Sequence, residues 1–270
     1  MNDFTTPNTF SLNDMSLKQI NCLKQNGYCY VKINQEAELN LMRLLEVGHR
    51  FFNQTEKLKL MSAFTDEKSE GFQNCEEKNM VLQRYAYRGG PLSEPLLTEQ
   101  PTMDNVIEQL KTQVATDLIK KIFEHGGISK YCPEVLNNCS PTLVFNYYKY
   151  SLSGPKNKLV AHKDITLLTM IFSSEPGLEV YTNGKWHSIV PKTGHIILII
   201  GKILEVITGG EYSSVLHRVS PPLCRDRLSV SVYLKLETHF SLVDYKNNKY
   251  IHKNQNEYIK ENLQGGLLRE

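Results

Sequence analysis

The sequence predicts a mixed α and β fold in which a double-stranded β-helix, or jelly roll, is buttressed by N-terminal and C-terminal helices. The first observation is a change of period, because apolar residues recur at helical spacing early in the chain and alternate later. The second is the glycine punctuation of short apolar segments over 142–236, which is typical of successive strands and turns. Helices followed by a strand-rich region favour one β core covered by helices.

Two helices are predicted from their apolar stripes, and both stripes are expected to face the core. The first covers about 36–53 and presents Leu41, Leu44, Leu45 and Gly48. The second covers about 103–125 and presents Val106, Leu110, Val114 and Ile122, with Thr102 or Asp104 as a possible N-cap. The polar tail over 250–263 is expected to form a terminal helix.

Two segments of the second half alternate as strands with one polar face. In the segment that begins at Arg227, one face carries Leu228, Val230, Val232 and Leu234, and the other carries Arg227, Ser229, Ser231 and Tyr233. In 142–148, one face carries Thr142, Val144, Asn146 and Tyr148, and the other carries Leu143, Phe145 and Tyr147. Such strands either carry a solvated outer face or line a wet cavity. The apolar run Ile196–Ile200 is expected to be a buried strand.

Length and composition indicate one compact domain with a sizeable core. The chain has 270 residues, of which 40% are hydrophobic and 22% charged. Within it we expect an N-terminal helical and strand region over 1–141, a core over 142–236 and a C-terminal segment over 237–270. A formal charge of +2 does not indicate a nucleic-acid partner, and the lysine-rich stretch 56–59 is expected to be solvated surface.

The six cysteines form no C-x-x-C motif and complete no zinc-finger spacing. We therefore expect reduced thiols in a reducing compartment, although an oxidised state stays open. The first residues lack a basic segment followed by an apolar run, and the longest apolar run is too short for a bilayer. The expectation is a cytoplasmic protein without membrane contact, monomeric or weakly homo-oligomeric.

Three residues stand out as candidate metal ligands. His162 and Asp164 form an H-x-D pair, and side chains two apart on an extended segment share one face. His217 would come from a distant strand. Two imidazoles and one carboxylate on one side of an ion leave the other positions open, as non-haem Fe(II) oxygenases require. By itself, H-x-D is short enough to arise by chance.

The residues around this pair raise its significance. In chain order they are NYY at 146–148, HKDITLLT at 162–169, PGLEV at 176–180, GKW at 184–186, VPKTG at 190–194, LEVITGGEYSSVLHRV at 204–219 and RLS at 227–229. This block resembles the catalytic core of the isopenicillin N synthase-like family of Fe(II)/2-oxoglutarate-dependent dioxygenases. NGYCYVKI at 26–33 and FFNQTEKLKL at 51–60 extend the resemblance upstream. Two departures are Lys149, where the family usually has proline, and Lys202, where it often has aspartate.

The resemblance implies a site and a reaction. His162, Asp164 and His217 would bind Fe(II), and Arg227 with Ser229 would hold the distal carboxylate of the co-substrate 2-oxoglutarate. Asn146 and Tyr148 would line the same pocket. The implied activity consumes O2, oxidises a small organic molecule, usually by hydroxylation, and releases succinate and CO2. For the substrate pocket we single out Tyr233, Arg84 and Tyr87, although the last two could equally lie on an exposed edge strand.

Three other functions remain open at this point. An oxidase of the same fold could use Fe(II) and O2 without 2-oxoglutarate, and it would also keep an R-x-S motif. A non-catalytic binding protein could occupy the same scaffold, although no candidate ligand is missing. A zinc hydrolase could use His and Asp ligands, but no separate general base is evident at a fixed spacing.

Overall fold

The computed structural model describes residues 9–10, 17–66, 69–77, 80–90, 92, 94, 96–150, 161–255 and 257–258. The helices found there are α1 Leu17–Asn26, α2 Gln35–Phe52, α3 Glu56–Leu60, α4 Gln100–Gln109, α5 Asp117–Gly126, α6 Cys132–Asn137 and α7 Lys202–Ile207. A π-helical segment, Leu110–Thr116, joins α4 to α5. The helix expected over 36–53 is therefore confirmed, and the one expected over 103–125 is part of a continuous helical run.

Thirteen strands occur in the same ranges. They are β1 Thr9–Phe10, β2 Tyr28–Lys32, β3 Gly71–Glu77, β4 Met80–Tyr87, β5 Cys139–Tyr148, β6 Leu168–Ser173, β7 Leu178–Thr182, β8 Lys185–Ser188, β9 His195–Ile200, β10 Leu216–Val219, β11 Arg227–Leu236, β12 Leu242–Asp244 and β13 Lys249–His252.

The strands form a large sheet, a small sheet and a hairpin. The large sheet has the order β1-β2-β9-β6-β11-β5-β4-β3, and the small sheet has the order β10-β7-β8. β12 pairs with β13 alone. The large sheet takes strands from both sides of residue 142, so the N-terminal region contributes to the same sheet as the central region.

A hydrophobic cluster lies between the two sheets and explains the apolar run in β9. Ile197 and Ile199 pack with Leu178 and Val180 of the small sheet. Ile196, Leu198 and Ile200 point the other way and join the main core. A strand that is covered on both faces reads as continuously apolar rather than alternating.

Helix α2 packs on the outer face of the large sheet. The side chain of Asn34 caps its first turn by accepting a hydrogen bond from the Ala37 N–H at 2.7 Å. A Cβ placed on Gly48 would lie 2.6 Å from Leu228 Cδ2 of β11, so the helix can approach the sheet closely only with glycine at this position. Close packing therefore holds the outer face of the large sheet against α2.

Three sequence-based expectations need correction. Neither Thr102 nor Asp104 is the N-cap, because α4 already begins at Gln100, with Pro101 in the first turn where its missing N–H is tolerated. Lys59 is not solvated: it is only 4% exposed, and its ammonium donates to Phe52 O and to Gln83 Oε1. The terminal helix expected over 250–263 does not begin at 250, where β13 lies; residues 255, 257 and 258 are helical, and those beyond 258 lie outside the described residues.

Five cysteines, Cys29, Cys75, Cys132, Cys139 and Cys224, form no disulfide with one another in the part of the chain that the structure describes. Within that same part, none of the helices has the length and apolar character needed to cross a membrane.

Candidate active site

His162, Asp164 and His217 meet between the two sheets. His162 lies ahead of β6, and its backbone forms a reciprocal bridge with that of His217 on β10, with both N–H to O distances at 2.9 Å. The Oδ1 atom of Asp164 is 3.5 Å from His162 Nε2 and 3.7 Å from His217 Nε2. One ligand atom from each residue lies within 4.8 Å of the others. One ion placed among the three donors can therefore contact them all.

Hydrogen bonds orient these donors. The Nδ1 of His217 lies 3.3 Å from the Val215 carbonyl oxygen, which can only accept, so Nε2 keeps its lone pair towards the cluster. Thr169 donates to Asp164 Oδ2 at 2.6 Å, which leaves Oδ1 for the cluster. Burial lowers the pKa of His217. Burial would raise the pKa of Asp164, but the two imidazoles hold it well below its ordinary value. A neutral imidazole and an ionised carboxylate are the forms that bind a metal.

The Arg227 guanidinium is buried without a carboxylate partner among the described residues. Arg227 is 4% exposed, its Nη1 donates to the Pro176 carbonyl at 3.2 Å, and its Nε has no hydrogen-bond partner. The guanidinium carbon lies 4.3 Å from the centre of the Tyr148 ring. A buried cation with an unused donor would be stabilised by an anion at this place.

Arg227 closes one end of a cavity of about 280 Å³, which we call the Arg227 cavity. Ser229, Asn146 and Tyr148 line it as well, so all four residues expected to contact the co-substrate share one space. The pairing of β11 with β5 explains this, because Arg227 is opposite Tyr148 and Ser229 is opposite Asn146. Apolar side chains from both sheets complete the wall, including Ile171, Leu178 and Ile197.

A second cavity, of about 520 Å³, is lined by two of the three candidate ligands, His162 and Asp164, and we call it the Arg84 cavity. Four residues line both cavities: Arg84, His162, Asp164 and Tyr233. The two spaces therefore meet at the candidate metal ligands. Arg84 and Tyr233, two of the three residues singled out for the substrate, are at this junction.

Tyr87, the third residue singled out for the substrate, lines neither cavity. Its side chain is 1% exposed in the main core, and its hydroxyl donates to Asp104 Oδ1 at 2.6 Å. Side chains alternate along β4, so Arg84 and Ala86 face the cavity while Tyr85 and Tyr87 face the core. The expectation that Tyr87 lines the substrate pocket with Arg84 was therefore wrong.

Three residues at the site were missed by reasoning from the sequence. Thr169 stands within a quoted motif, but nothing in the pattern indicates its bond to Asp164. Gly177 has a φ of +154°, and a Cβ there would collide with Arg227 Nη1. Lys235 lines the Arg84 cavity, and the alternation of β11 beyond Tyr233 could have revealed it. Lys202, one of the two departures from the family pattern, also lines this cavity.

Comparisons with known proteins agree with this geometry. Residues 139–235 match the sequence profile of the 2OG-Fe(II) oxygenase superfamily. The chain is 24% identical over 233 residues to protein DMR6-LIKE OXYGENASE 2 of Arabidopsis thaliana, a match that covers 77% of this chain and 64% of that protein. It is 28% identical over 206 residues to the flavonol synthase/flavanone 3-hydroxylase of Matthiola incana, covering 70% of each. The chain thus spans less than two thirds of the length of the first relative.

A similar fold occurs in a full-length protein of Neurospora crassa whose crystal structure contains alpha-KG and thymine. The two structures superpose with a TM-score of 0.79 over 98% of each chain, at 16% sequence identity. At this identity the likeness concerns the fold, and it supports the jelly-roll assignment. The sequence match over residues 139–235, the fold and the His-Asp-His cluster together make this chain similar to the 2OG-Fe(II) oxygenase superfamily.

Proposed function

We propose that this protein is an Fe(II)- and 2-oxoglutarate-dependent dioxygenase that hydroxylates a small organic molecule. The observation that carries the proposal is the buried, unpaired guanidinium of Arg227 in a cavity that also contains the three candidate iron ligands. This arrangement fits a small dicarboxylate with one end at the metal and the other at Arg227. A planar guanidinium is suited to that role because it binds a carboxylate with two parallel hydrogen bonds.

The donor set also fits Fe(II). His162, Asp164 and His217 supply two imidazole nitrogens and one carboxylate oxygen, and open positions remain for co-substrate and O2. When bound, Fe(II) and 2-oxoglutarate activate O2, and the decarboxylation of 2-oxoglutarate to succinate and CO2 accompanies transfer of one oxygen atom to the substrate.

The chain's own residues provide position and shielding. Arg227 and Ser229 hold the distal carboxylate of 2-oxoglutarate. Asn146 and Tyr148 line the same Arg227 cavity. The apolar wall of the Arg227 cavity keeps water from that carboxylate, which strengthens its attraction to Arg227. Asp164 stays ionised and is oriented by Thr169. The substrate enters from the Arg84 cavity.

An anaerobic titration tests the proposal. Fe(II)-loaded protein is titrated with 2-oxoglutarate while the visible metal-to-ligand charge-transfer band is followed. We expect a saturable band, and we expect Arg227→Ala to weaken 2-oxoglutarate binding about tenfold or more, since a charge-assisted hydrogen bond is lost. Arg50→Ala, an exposed arginine on α2, is the control and should bind normally.

Failure to form the band with iron bound would contradict the proposal and favour the oxidase of the same fold. Succinate formed in equal amount to oxidised substrate separates the dioxygenase from that oxidase in a second way. If the band forms but no substrate is ever oxidised, the non-catalytic binding protein becomes the better description.

A further inference from the structure

The Arg84 cavity has an excess of positive charge. Four cationic side chains line it: Arg84, Lys163, Lys202 and Lys235. Among the described residues that line it, the single carboxylate is that of Asp164, which the proposed function assigns to the iron. A cavity with this balance attracts anions and repels cations.

Two of the four cations already have a partner. The Nζ atoms of Lys202 and Lys163 lie 3.0 and 3.7 Å from the carboxylate of Glu205. Glu205 is further held by the backbone N–H of Ser214 at 3.1 Å, so its position is fixed. These two lysines belong to a local ion-pair network at one side of the cavity.

The other two cations have no such partner. No carboxylate lies within salt-bridge distance of Arg84 or Lys235 in the part of the chain that the structure describes. Partial desolvation and repulsion from Arg84 and Arg88 lower the pKa of Lys235. Arg88 donates to Ser140, which is directly opposite Lys235 in the pairing of β11 with β5. Like charges are therefore held together without an anion between them.

Part of the remaining wall of the Arg84 cavity is apolar, beside the polar side chains of Ser69, Gln73, Thr142 and Thr166. Phe64, Val144 and Ile165 line it, together with the ring of Tyr233. Apolar surface beside a few convergent polar groups is typical of a site for a small organic ligand. Tyr233 precedes Lys235 on the same face of β11 and lines both cavities with His162 and Asp164, so its ring lies between Lys235 and the Arg227 cavity.

From these contacts we propose that the substrate is a small organic acid whose carboxylate binds between Arg84 and Lys235. Its apolar body packs against Phe64, Val144 and Ile165, so that the far end of the molecule reaches the iron. This inference rests on the proposed function, since it assigns the substrate of the same site. It excludes organic cations and disfavours neutral substrates.

Direct binding to matched probes tests the inference. Protein loaded with Fe(II) and saturating 2-oxoglutarate is titrated without O2, by calorimetry, with benzoate, phenylacetate and hexanoate, and with their primary amides. Each pair differs in charge but hardly in shape. We expect the carboxylates to bind about tenfold or more tightly than the amides, because each amide loses a charge-assisted hydrogen bond.

Variants identify the groups responsible. Arg84→Gln and Lys235→Gln should each reduce the preference for the carboxylates, whereas Lys249→Gln, an exposed lysine on β13, should retain it. Lys235 is accessible, so its substitution tests the inference even if Arg84→Gln does not fold. Equal binding of acids and amides, no binding of any carboxylate, or a preference that survives both substitutions would overturn it. The charge-transfer band with 2-oxoglutarate separates this failure from failure of the proposed function itself.

Discussion

The Arg227 cavity and the Arg84 cavity share four residues but are built from different parts of the chain. The polar end of the Arg227 cavity comes from two adjacent strands, β5 and β11, whose ten-residue pairing fixes which side chains face each other. The Arg84 cavity takes residues from β3, β4, β5, β11, α7 and the 162–166 segment. The polar end of the Arg227 cavity is set by a single strand pair, whereas the charged groups of the Arg84 cavity come from several distant segments, so the two should respond differently to substitution.

The largest effect is expected for Asp164→Ala, which damages the point where the cavities meet. The substitution removes one of the three candidate ligands, which is also the only carboxylate among them. Substrate-coupled succinate release should therefore fall about a thousandfold or more. Iron content and succinate are measured together. Asp66→Ala, at an exposed carboxylate, is the control. Normal turnover in Asp164→Ala would refute the assigned ligand set.

Gly177→Ala should damage the Arg227 cavity alone. The added Cβ falls on Arg227 Nη1, so the guanidinium must move and 2-oxoglutarate affinity should fall about tenfold to a hundredfold. The charge-transfer titration measures it. Gly184→Ala is a matched control, because Gly184 also has a positive φ, of +78°, but its Cβ would meet open space. Similar losses in both variants would mean that backbone strain, not Arg227, is responsible.

Thr169→Val keeps the shape of the side chain but removes its hydrogen bond to Asp164 Oδ2. The carboxylate then gains freedom to rotate, and we expect Fe(II) affinity to fall about tenfold. Competition with a chelator of known affinity provides the measurement. Thr112→Val, at an exposed helical threonine, should leave the affinity as it is. An unaltered affinity in Thr169→Val would mean that the backbone alone holds Asp164.

Ala86→Leu is expected to have the smallest effect on the co-substrate. The added atoms enter the Arg84 cavity, so carboxylate probes should bind less tightly while 2-oxoglutarate affinity changes less than about twofold. Both are measured by titration under anaerobic conditions. Equal losses for the two ligands would show that the cavities act as one binding space.

The sequence predicted the parts of the site that depend on a single strand better than the parts that depend on contacts between distant segments. Alternation in β11 and β5 correctly predicted which side chains share a face, because the period of a strand is a local property. Tyr87 was misplaced although the same rule applied; its side chain is buried in the core, where its hydroxyl donates to Asp104. Lys59 was misplaced for a related reason, as two acceptors from distant segments accommodate its ammonium. Contacts of this kind depend on packing between segments, which no local pattern contains.

Fold prediction had a similar limit. The helix over 36–53 and the buried strand at Ile196–Ile200 followed from periodicity and apolar content. The contribution of β2, β3 and β4 to the large sheet did not, because their neighbours are far away in the sequence. Strand order is set by the way the two sheets and their helices cover one another.

The reciprocal backbone bridge between His162 and His217 joins positions that are 55 residues apart. Closing a flexible loop of that length costs on the order of 3–4 kcal/mol in chain entropy. Backbone hydrogen bonds and sheet packing offset this loss of entropy during folding, so the three ligands are brought together before the ion binds. Iron affinity should then depend on the donors and on the hydrogen bonds that orient them. A chelator should remove the ion, and a second addition of iron should restore it, without unfolding the protein.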